Sequence, residues 1–130
     1  MSVDQFLSGE SFAVVGASRD RSKFGNKVLR AYLDRDMPVV AVNPRESGEI
    51  EGATVVATLA DLPTPVHGVS IITPPAVTEK VVEDAIAAGI RHLWMQPGAE
   101  SPRAIRAAEE AGLSVIAGGP CILVELPRRG

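Results

Sequence analysis

Cysteine, histidine and aromatic residues are scarce in this sequence of 130 residues. The single cysteine, Cys121, excludes an internal disulfide, and the two histidines, His67 and His92, do not have the spacing of metal ligands. Aromatic side chains make up 4% of the residues and the formal net charge is -3, which provides neither a stacking platform for bases nor a general attraction to a polyanion. We therefore expect no metal and no nucleic-acid partner.

Long hydrophobic runs are also missing. The N-terminus has no basic segment followed by an apolar stretch, and nowhere do about eighteen apolar residues follow one another. The sequence therefore predicts neither secretion nor membrane insertion. Together with the scarcity of cysteine, these absences favour a cytoplasmic protein.

The composition supplies enough apolar material for one domain, because 45% of the residues are hydrophobic. A chain of this length lies near the commonest domain size, and it buries roughly two thirds of the surface that its unfolded form exposes. We predict one domain over residues 1–130.

Short β-branched runs alternate with longer amphipathic stretches along the whole chain. This pattern predicts five main strands, at residues 11–17, 37–42, 66–73, 90–95 and 113–117, and a further short strand at 54–57. It predicts helices at residues 26–36, 77–88 and 102–111, and one helical turn at 59–62. The alternation is typical of an α/β fold, a single-domain Rossmann-like parallel sheet of about five strands with helices on both faces.

Ligands of such folds bind beyond the carboxyl ends of the strands, where this chain places its glycines, prolines and cations. After the first strand, Gly16 allows a sharp turn, Ser18 offers a hydroxyl, and Gly25 lies beside the start of a helix, where N–H groups attract anions. Lys23 and Arg19 add positive charge to the same loop. The loop predicts a phosphate site, although it is not the G-x-G-x-x-G fingerprint. Under the alternative, the glycines only make a turn and the cations are solvated.

The second strand ends at Asn43, where an NAD-binding unit commonly has a carboxylate for the ribose hydroxyls. Pro44 and Arg45 follow, and a guanidinium there can pair with a ribose phosphate. These residues favour CoA or NADP over NAD. Arg45 on a solvated loop is the alternative.

Two proline turns complete the predicted edge. Thr73, Pro74 and Pro75 form a rigid apolar wall with one hydroxyl, or else ordinary capping at the start of a helix. Gln96 ends a buried strand and needs a hydrogen-bond partner, and Gly98 follows it in a turn.

The spacing of the nucleophilic and basic residues suggests no catalytic triad. Cys121 follows the last predicted strand with no histidine near it in sequence, so an inert, buried thiol is the favoured interpretation. His67 and His92 lie at or within predicted strands, and we interpret both as structural.

Taken together, the motifs VVGAS, KFGNKVLR, VVAVNPR, SIITPPAVTEKVVEDAIAAGI, HLWMQPGAES and AGLSVIAGGPC resemble the CoA-binding domain family. This family comprises small stand-alone proteins similar to the N-terminal domain of the succinyl-CoA synthetase alpha subunit. The resemblance covers residues 11–121. Cys121 matches a cysteine of the synthetase in a stretch that here lacks its asparagine, and residues 45–52 lack the lysine- and glycine-rich sequence of the synthetase.

The resemblance implies a ligand, CoA or an acyl-CoA. It implies that the phosphates contact the Gly16-Ala17-Ser18 turn and Lys23, and that Asn43 and Pro44 line the nucleotide side. It further implies that residues 73–75 flank the ligand and that Gln96 and Gly98 lie on the pantetheine side.

The phosphorylated histidine of the synthetase lies in a second domain that this sequence does not contain, so we expect binding rather than ligase activity. Two alternatives stay open: an NADP-binding oxidoreductase or redox sensor, and a regulatory subunit of a larger CoA-dependent complex. The full set of predicted ligand-binding residues is Gly16, Ala17, Ser18, Arg19, Lys23, Gly25, Asn43, Pro44, Arg45, Thr73, Pro74, Pro75, Gln96 and Gly98.

Overall fold

The computed structural model describes residues 2–129, which form an alternating series of strands and helices. The strands are β1 (Phe12–Val15), β2 (Val39–Val42), β3 (Glu49–Ile50), β4 (Ala53–Val56), β5 (Gly68–Ile71), β6 (His92–Met95) and β7 (Ser114–Ile116). The helices are α1 (Val3–Leu7), α2 (Phe24–Leu33), α3 (Pro75–Ala87), α4 (Pro102–Glu110) and α5 (Ile122–Glu125), with 3₁₀ turns at Leu59–Asp61 and Pro127–Arg129.

The strands form one sheet in the order β3-β4-β2-β1-β5-β6-β7. All neighbouring pairs are parallel except β3 and β4, which form an antiparallel hairpin. From β1 the chain first builds outward through β2 and β4, and it then returns to the other side of β1 with β5. The order therefore reverses beside β1, which is the position where open α/β sheets bind ligands.

Helices cover both faces of the sheet, because successive side chains of a buried strand point to opposite sides. In β1, Ala13 and Val15 join one apolar cluster with residues of α3 and α4. Phe12 and Val14 join a second cluster with residues of α1, α2 and α5. The predicted α/β class is confirmed.

The sheet has seven strands within the described residues, more than the five predicted. The additional pairing comes from β4, at the position of the predicted short strand, and from the two-residue β3. Two residues carry no periodic signal, so β3 could not be recognised from its sequence.

Two short helices were also not predicted. Helix α1 has a capping box, in which the Gln5 N–H donates to Ser2 Oγ at 3.1 Å and the Ser2 N–H donates to Gln5 Oε1 at 3.1 Å. Its Phe6 is fully buried, with its ring centroid 5.3 Å from that of Trp94. Helices this short depend on tertiary packing more than on propensity. Between residues 2 and 129, no helix is long and apolar enough to span a bilayer.

Candidate functional site

A cleft of about 570 Å³ lies at the carboxyl edge of the sheet, beside the point where the strand order reverses. The ends of β1, β2 and β5 supply one part of its wall, and α3 with the segment after β4 supplies the rest. Six of the residues predicted from the sequence line it: Gly16, Asn43, Pro44, Arg45, Thr73 and Pro74. Its size is typical of a small-molecule site.

Two glycines hold the loop after β1 against the sheet. Gly16 has a φ of +96°, and a Cβ there would lie 2.3 Å from the carbonyl oxygen of Ile72. A Cβ on Gly25 would lie 2.0 Å from the carbonyl oxygen of Gly16. Gly25 therefore lets the first turn of α2 pack directly on the end of β1, which brings the positive end of the helix to this edge.

The polar groups of this loop are partly used within it. Ser18 Oγ accepts a hydrogen bond from the Asp20 N–H at 3.1 Å, and Asp20 Oδ1 accepts hydrogen bonds from the Ser22 hydroxyl and N–H. These bonds from Ser22, the hydroxyl first, lower the pKa of Asp20 below its ordinary value. Lys23 immediately precedes α2 and is exposed, so its ammonium is available to an anion near the helix start.

Arg19 has a different position from the one expected of a free phosphate-binding cation. Its guanidinium donates to the carbonyl oxygen of Glu49 at 2.7 Å and to that of Ser47, and it forms an ion pair with Glu46. The three contacts lie on the segment from Glu46 to Glu49, which follows β2 and includes the first residue of β3. Arg19 thus connects the loop after β1 to the loop after β2.

The end of β2 contributes Asn43, Pro44 and Arg45 to the cleft. The side chain of Asn43 is engaged at both polar atoms, because Nδ2 donates to the Ala17 carbonyl at 2.7 Å and Oδ1 accepts from the Arg45 N–H at 2.8 Å. The guanidinium of Arg45 is exposed and has no hydrogen-bond or ion-pair partner within residues 2–129.

The wall after β5 is formed by Thr73 and Pro74, whereas Pro75 begins α3 and does not line the cleft. The Thr73 hydroxyl lies 2.7 Å from the hydroxyl of the buried Thr78, one turn into α3. This contact fixes the Thr73 side chain beside the start of α3.

Gln96 and Gly98 lie after β6, outside the lining of the cleft. Gln96 is fully buried, and its Oε1 accepts a hydrogen bond from the Ile122 N–H at 2.9 Å. The hydrogen-bond partner expected for this buried side chain is therefore the backbone of the first residue of α5. Its Nε2 has no acceptor among the described residues. Gly98 has a φ of +96°, and its N–H donates to Glu100 Oε1 at 2.7 Å.

Sequence reasoning missed the helical wall of the cleft. Val77, Lys80, Val81 and Asp84 of α3 line it, and Lys80 Nζ lies 3.3 Å from Asp84 Oδ1. Their spacing of three or four residues places them on one helix face. Because the helix follows the carboxyl end of a predicted strand, this spacing could have predicted that the face borders the cleft. Within the described part of the chain, no group of three or more His, Cys, Asp or Glu residues is arranged to hold a metal ion.

Comparison with protein families gives a match over residues 10–127 to the family described as CoA binding domain. The chain belongs to the CoA binding domain family. Membership in this family gives the protein a CoA-related role and agrees with the resemblance seen in the motifs.

Solved structures of similar sequence have the same fold as this chain. A conserved hypothetical protein from Pyrococcus furiosus is 39% identical, with a TM-score of 0.83 over 89% of this chain and 98% of that chain. A Thermus thermophilus protein is 32% identical, with a TM-score of 0.87 over 95% of this chain and 92% of that chain.

The fold also occurs within larger enzymes. The dinucleotide-forming acetyl-coenzyme A synthetase 1 of Candidatus Korarchaeum cryptofilum, in complex with phosphate and ADP, is 26% identical with a TM-score of 0.78. The match covers 89% of this chain but 27% of the synthetase chain. The likeness is therefore to one part of that enzyme.

Proposed function

We propose that the protein binds CoA or an acyl-CoA along the carboxyl edge of the sheet. The observation that carries the proposal is the cleft at the strand-order reversal, which is lined by motif residues of a CoA binding domain family member. In this proposal the loop of Gly16, Ala17 and Ser18 takes the phosphates, and Lys23 supplies positive charge. Thr73, Pro74 and Pro75 flank the ligand.

The chemistry of the cleft supports a ligand with both apolar and anionic parts. Its walls include Val15, Val42, Leu59, Ile72 and Val77, which suit an adenine ring or another flat apolar group. At its rim, the guanidinium of Arg45, which has no partner in the part of the chain that the structure describes, suits a phosphate on a ribose. CoA has both features.

The pantetheine arm would leave the cleft toward the ends of β6 and β7. Gln96 and Gly98 lie after β6, and the buried Nε2 of Gln96 lacks an acceptor among the described residues. Because Gln96 is fully buried, a carbonyl oxygen of a pantetheine amide or thioester would satisfy this donor only with a movement of the segment that covers it. The interpretation of Gln96 as a residue of the pantetheine side therefore stays part of the proposal.

Titration calorimetry with the ligand-free protein tests the proposal, with CoA, acetyl-CoA and NADPH titrated in parallel. We expect CoA or acetyl-CoA to bind more tightly than NADPH. Any small molecule that copurifies would first be released by denaturation and identified by mass spectrometry. No binding of CoA or acetyl-CoA at millimolar ligand, with the protein folded, would refute the proposal, and a response to NADPH alone would favour the oxidoreductase or sensor.

Two variants of α3 locate the binding site. Val77 is 47% exposed and lines the cleft, whereas Ile86 is 39% exposed and does not. Val77→Asp places a negative charge beside an anionic ligand, and we expect it to weaken CoA binding by about tenfold or more, which corresponds to about 1.4 kcal/mol. Ile86→Asp is the matched control and should leave the affinity within about twofold. Equal effects of the two variants would place the ligand elsewhere.

A further inference from the structure

The sequence contains two asparagines, Asn26 and Asn43, and both donate to the loop after β1. Asn43 Nδ2 donates to the carbonyl oxygen of Ala17 at 2.7 Å. Asn26 Nδ2 donates to the carbonyl oxygen of Ser18 at 2.8 Å. These two hydrogen bonds, one from α2 and one from the end of β2, fix the directions of two consecutive carbonyl groups.

Fixing these carbonyls also fixes the N–H groups that follow them. In a planar trans peptide the C=O and the next N–H point in opposite directions. The Ser18 N–H therefore points away from Asn43, and the Arg19 N–H points away from Asn26. Neither N–H donates to an acceptor within residues 2–129. Successive backbone N–H groups without partners are the elements of an anion-binding concavity.

The remaining polar atoms of the two asparagines hold them in place. Asn26 is fully buried, its Oδ1 accepts from Arg30 Nε at 2.7 Å, and its Nδ2 also lies 3.1 Å from Glu51 Oε2. Asn43 Oδ1 accepts from the Arg45 N–H at 2.8 Å. Because their side chains are engaged by the protein at both ends, the two asparagines are poorly placed to serve as direct ligand contacts.

Glu51 supports Asn26 from a strained backbone position. Glu51 has a φ of +52° and Gly52 a φ of +91°, at the turn between β3 and β4. Asparagine is favoured over glutamate at such a left-handed position. The longer side chain of Glu51 reaches both Asn26 and Arg21, whose Nε lies 3.3 Å from Glu51 Oε2.

We infer that Asn43 and Asn26 are positioning residues, which orient the N–H groups of Ser18 and Arg19 toward a phosphate of the bound nucleotide. The inference rests on the proposed function and assigns a role that neither the motif resemblance nor the family gives to these side chains. It also explains why the end of β2 carries an amide, since a carboxylate at position 43 could not donate to Ala17.

Two substitutions at position 43 test this role. Asn43→Asp keeps the size of the side chain but removes the donor and adds a charge, and Asn43→Ala removes the donor without adding a charge. In both variants the Ser18 N–H would no longer be held toward the phosphate. We therefore expect CoA to bind about tenfold or more weakly, the loss typical of a hydrogen bond to a charged group. Circular dichroism and thermal unfolding would establish that each variant is folded.

Amide chemical shifts report on the two N–H groups directly, in the wild type and in the variants. In the ¹⁵N-labelled wild type, CoA should move the Ser18 and Arg19 amide proton resonances downfield, and in both variants the Ser18 shift should be lost or strongly reduced. Wild-type protein that binds CoA without shifting these two amides would overturn the inference.

Two further outcomes separate its failure from that of the proposed function. Weakening by Asn43→Asp with full affinity in Asn43→Ala would attribute the effect to charge alone and overturn the positioning role. Wild-type protein that binds no CoA would overturn the proposed function, and the inference with it.

Discussion

Gly25 has no side chain, and the backbone of the turn after β1 fills the space that a Cβ would need. The Cβ of an alanine would lie 2.0 Å from the Gly16 carbonyl oxygen, a contact that neither backbone can relieve without moving α2 from the sheet. Helix propensity alone predicts the opposite, since alanine is favoured over glycine by about 1 kcal/mol within a helix. The sign of the effect therefore separates packing from propensity.

We expect Gly25→Ala to lower the free energy of unfolding by about 3 kcal/mol, the upper range for overpacking a tight site. Urea denaturation of the wild type and variant measures this loss. Gly118→Ala is the control, because a Cβ there meets nothing within 4 Å and only the backbone φ of +83° is strained. It should cost about 1 kcal/mol. A stabilising Gly25→Ala would contradict the packing argument.

At the scale of the element, the hairpin of β3 and β4 and the segment before it are contacted by a residue far away in sequence. Arg19 is the only side chain that donates to the carbonyl oxygens of both Ser47 and Glu49 within residues 2–129. A lysine could preserve the charge opposite Glu46 but could not reproduce the planar fork that reaches two carbonyls. We expect Arg19→Lys to loosen the segment between β2 and β4.

Hydrogen exchange measures this loosening at the amide of Val55, which donates to the carbonyl oxygen of Gly48 at 2.9 Å. Exchange at Val55 should accelerate in Arg19→Lys, while amides of β6 should exchange as in the wild type. Arg45→Lys serves as the control, because the Arg45 guanidinium has no partner among the described residues. Unchanged exchange at Val55 would mean that the hairpin is held by its own strand pairing.

Residues of the cleft could be predicted from the sequence where their positions follow from the strands, and not where they depend on contacts between residues far apart along the chain. Gly16, Asn43 and Thr73 could be assigned to one edge because the carboxyl ends of parallel strands lie together. The sequence predicts a phosphate contact for Arg19 because its neighbours along the chain are glycine-loop residues, whereas its observed hydrogen-bond partners lie 28 and 30 positions away. Lys80 was not predicted to line the cleft. The apolar periodicity of its helix predicts which face packs on the sheet, but it does not show that the first turns of the helix lie beside the ligand.

For the whole molecule, the two edges of the sheet have different chemistry. The carboxyl edge contains the cleft and exposed cations, whereas the amino edge contains both histidines, and Phe6 of α1 packs against it. The rings of His67 and His92 lie 4.5 Å apart between centroids, and the His67 ring also contacts Phe6 and Phe12. From this packing we expect the stability of the fold to be sensitive to acid at a place remote from the cleft.

Burial lowers the pKa of His92 below its ordinary value of 6.5, and the positive charges of His67 and Arg91 lower it further. The unfolded chain therefore binds a proton at His92 more readily than the folded chain does. Stability from this residue is fully present at neutral pH and is lost as the pH falls below 6.5, until the folded protein also becomes protonated.

We expect the urea midpoint of the wild type to fall between about pH 7.5 and pH 5.5, the range in which histidine titrates. In His92→Gln the side chain stays neutral throughout this range, so the fall should be smaller. The range stays above the titration of the carboxylates, which contribute their own acid sensitivity at lower pH. An equal fall in both proteins would show that the acid sensitivity arises elsewhere, since no other change distinguishes them.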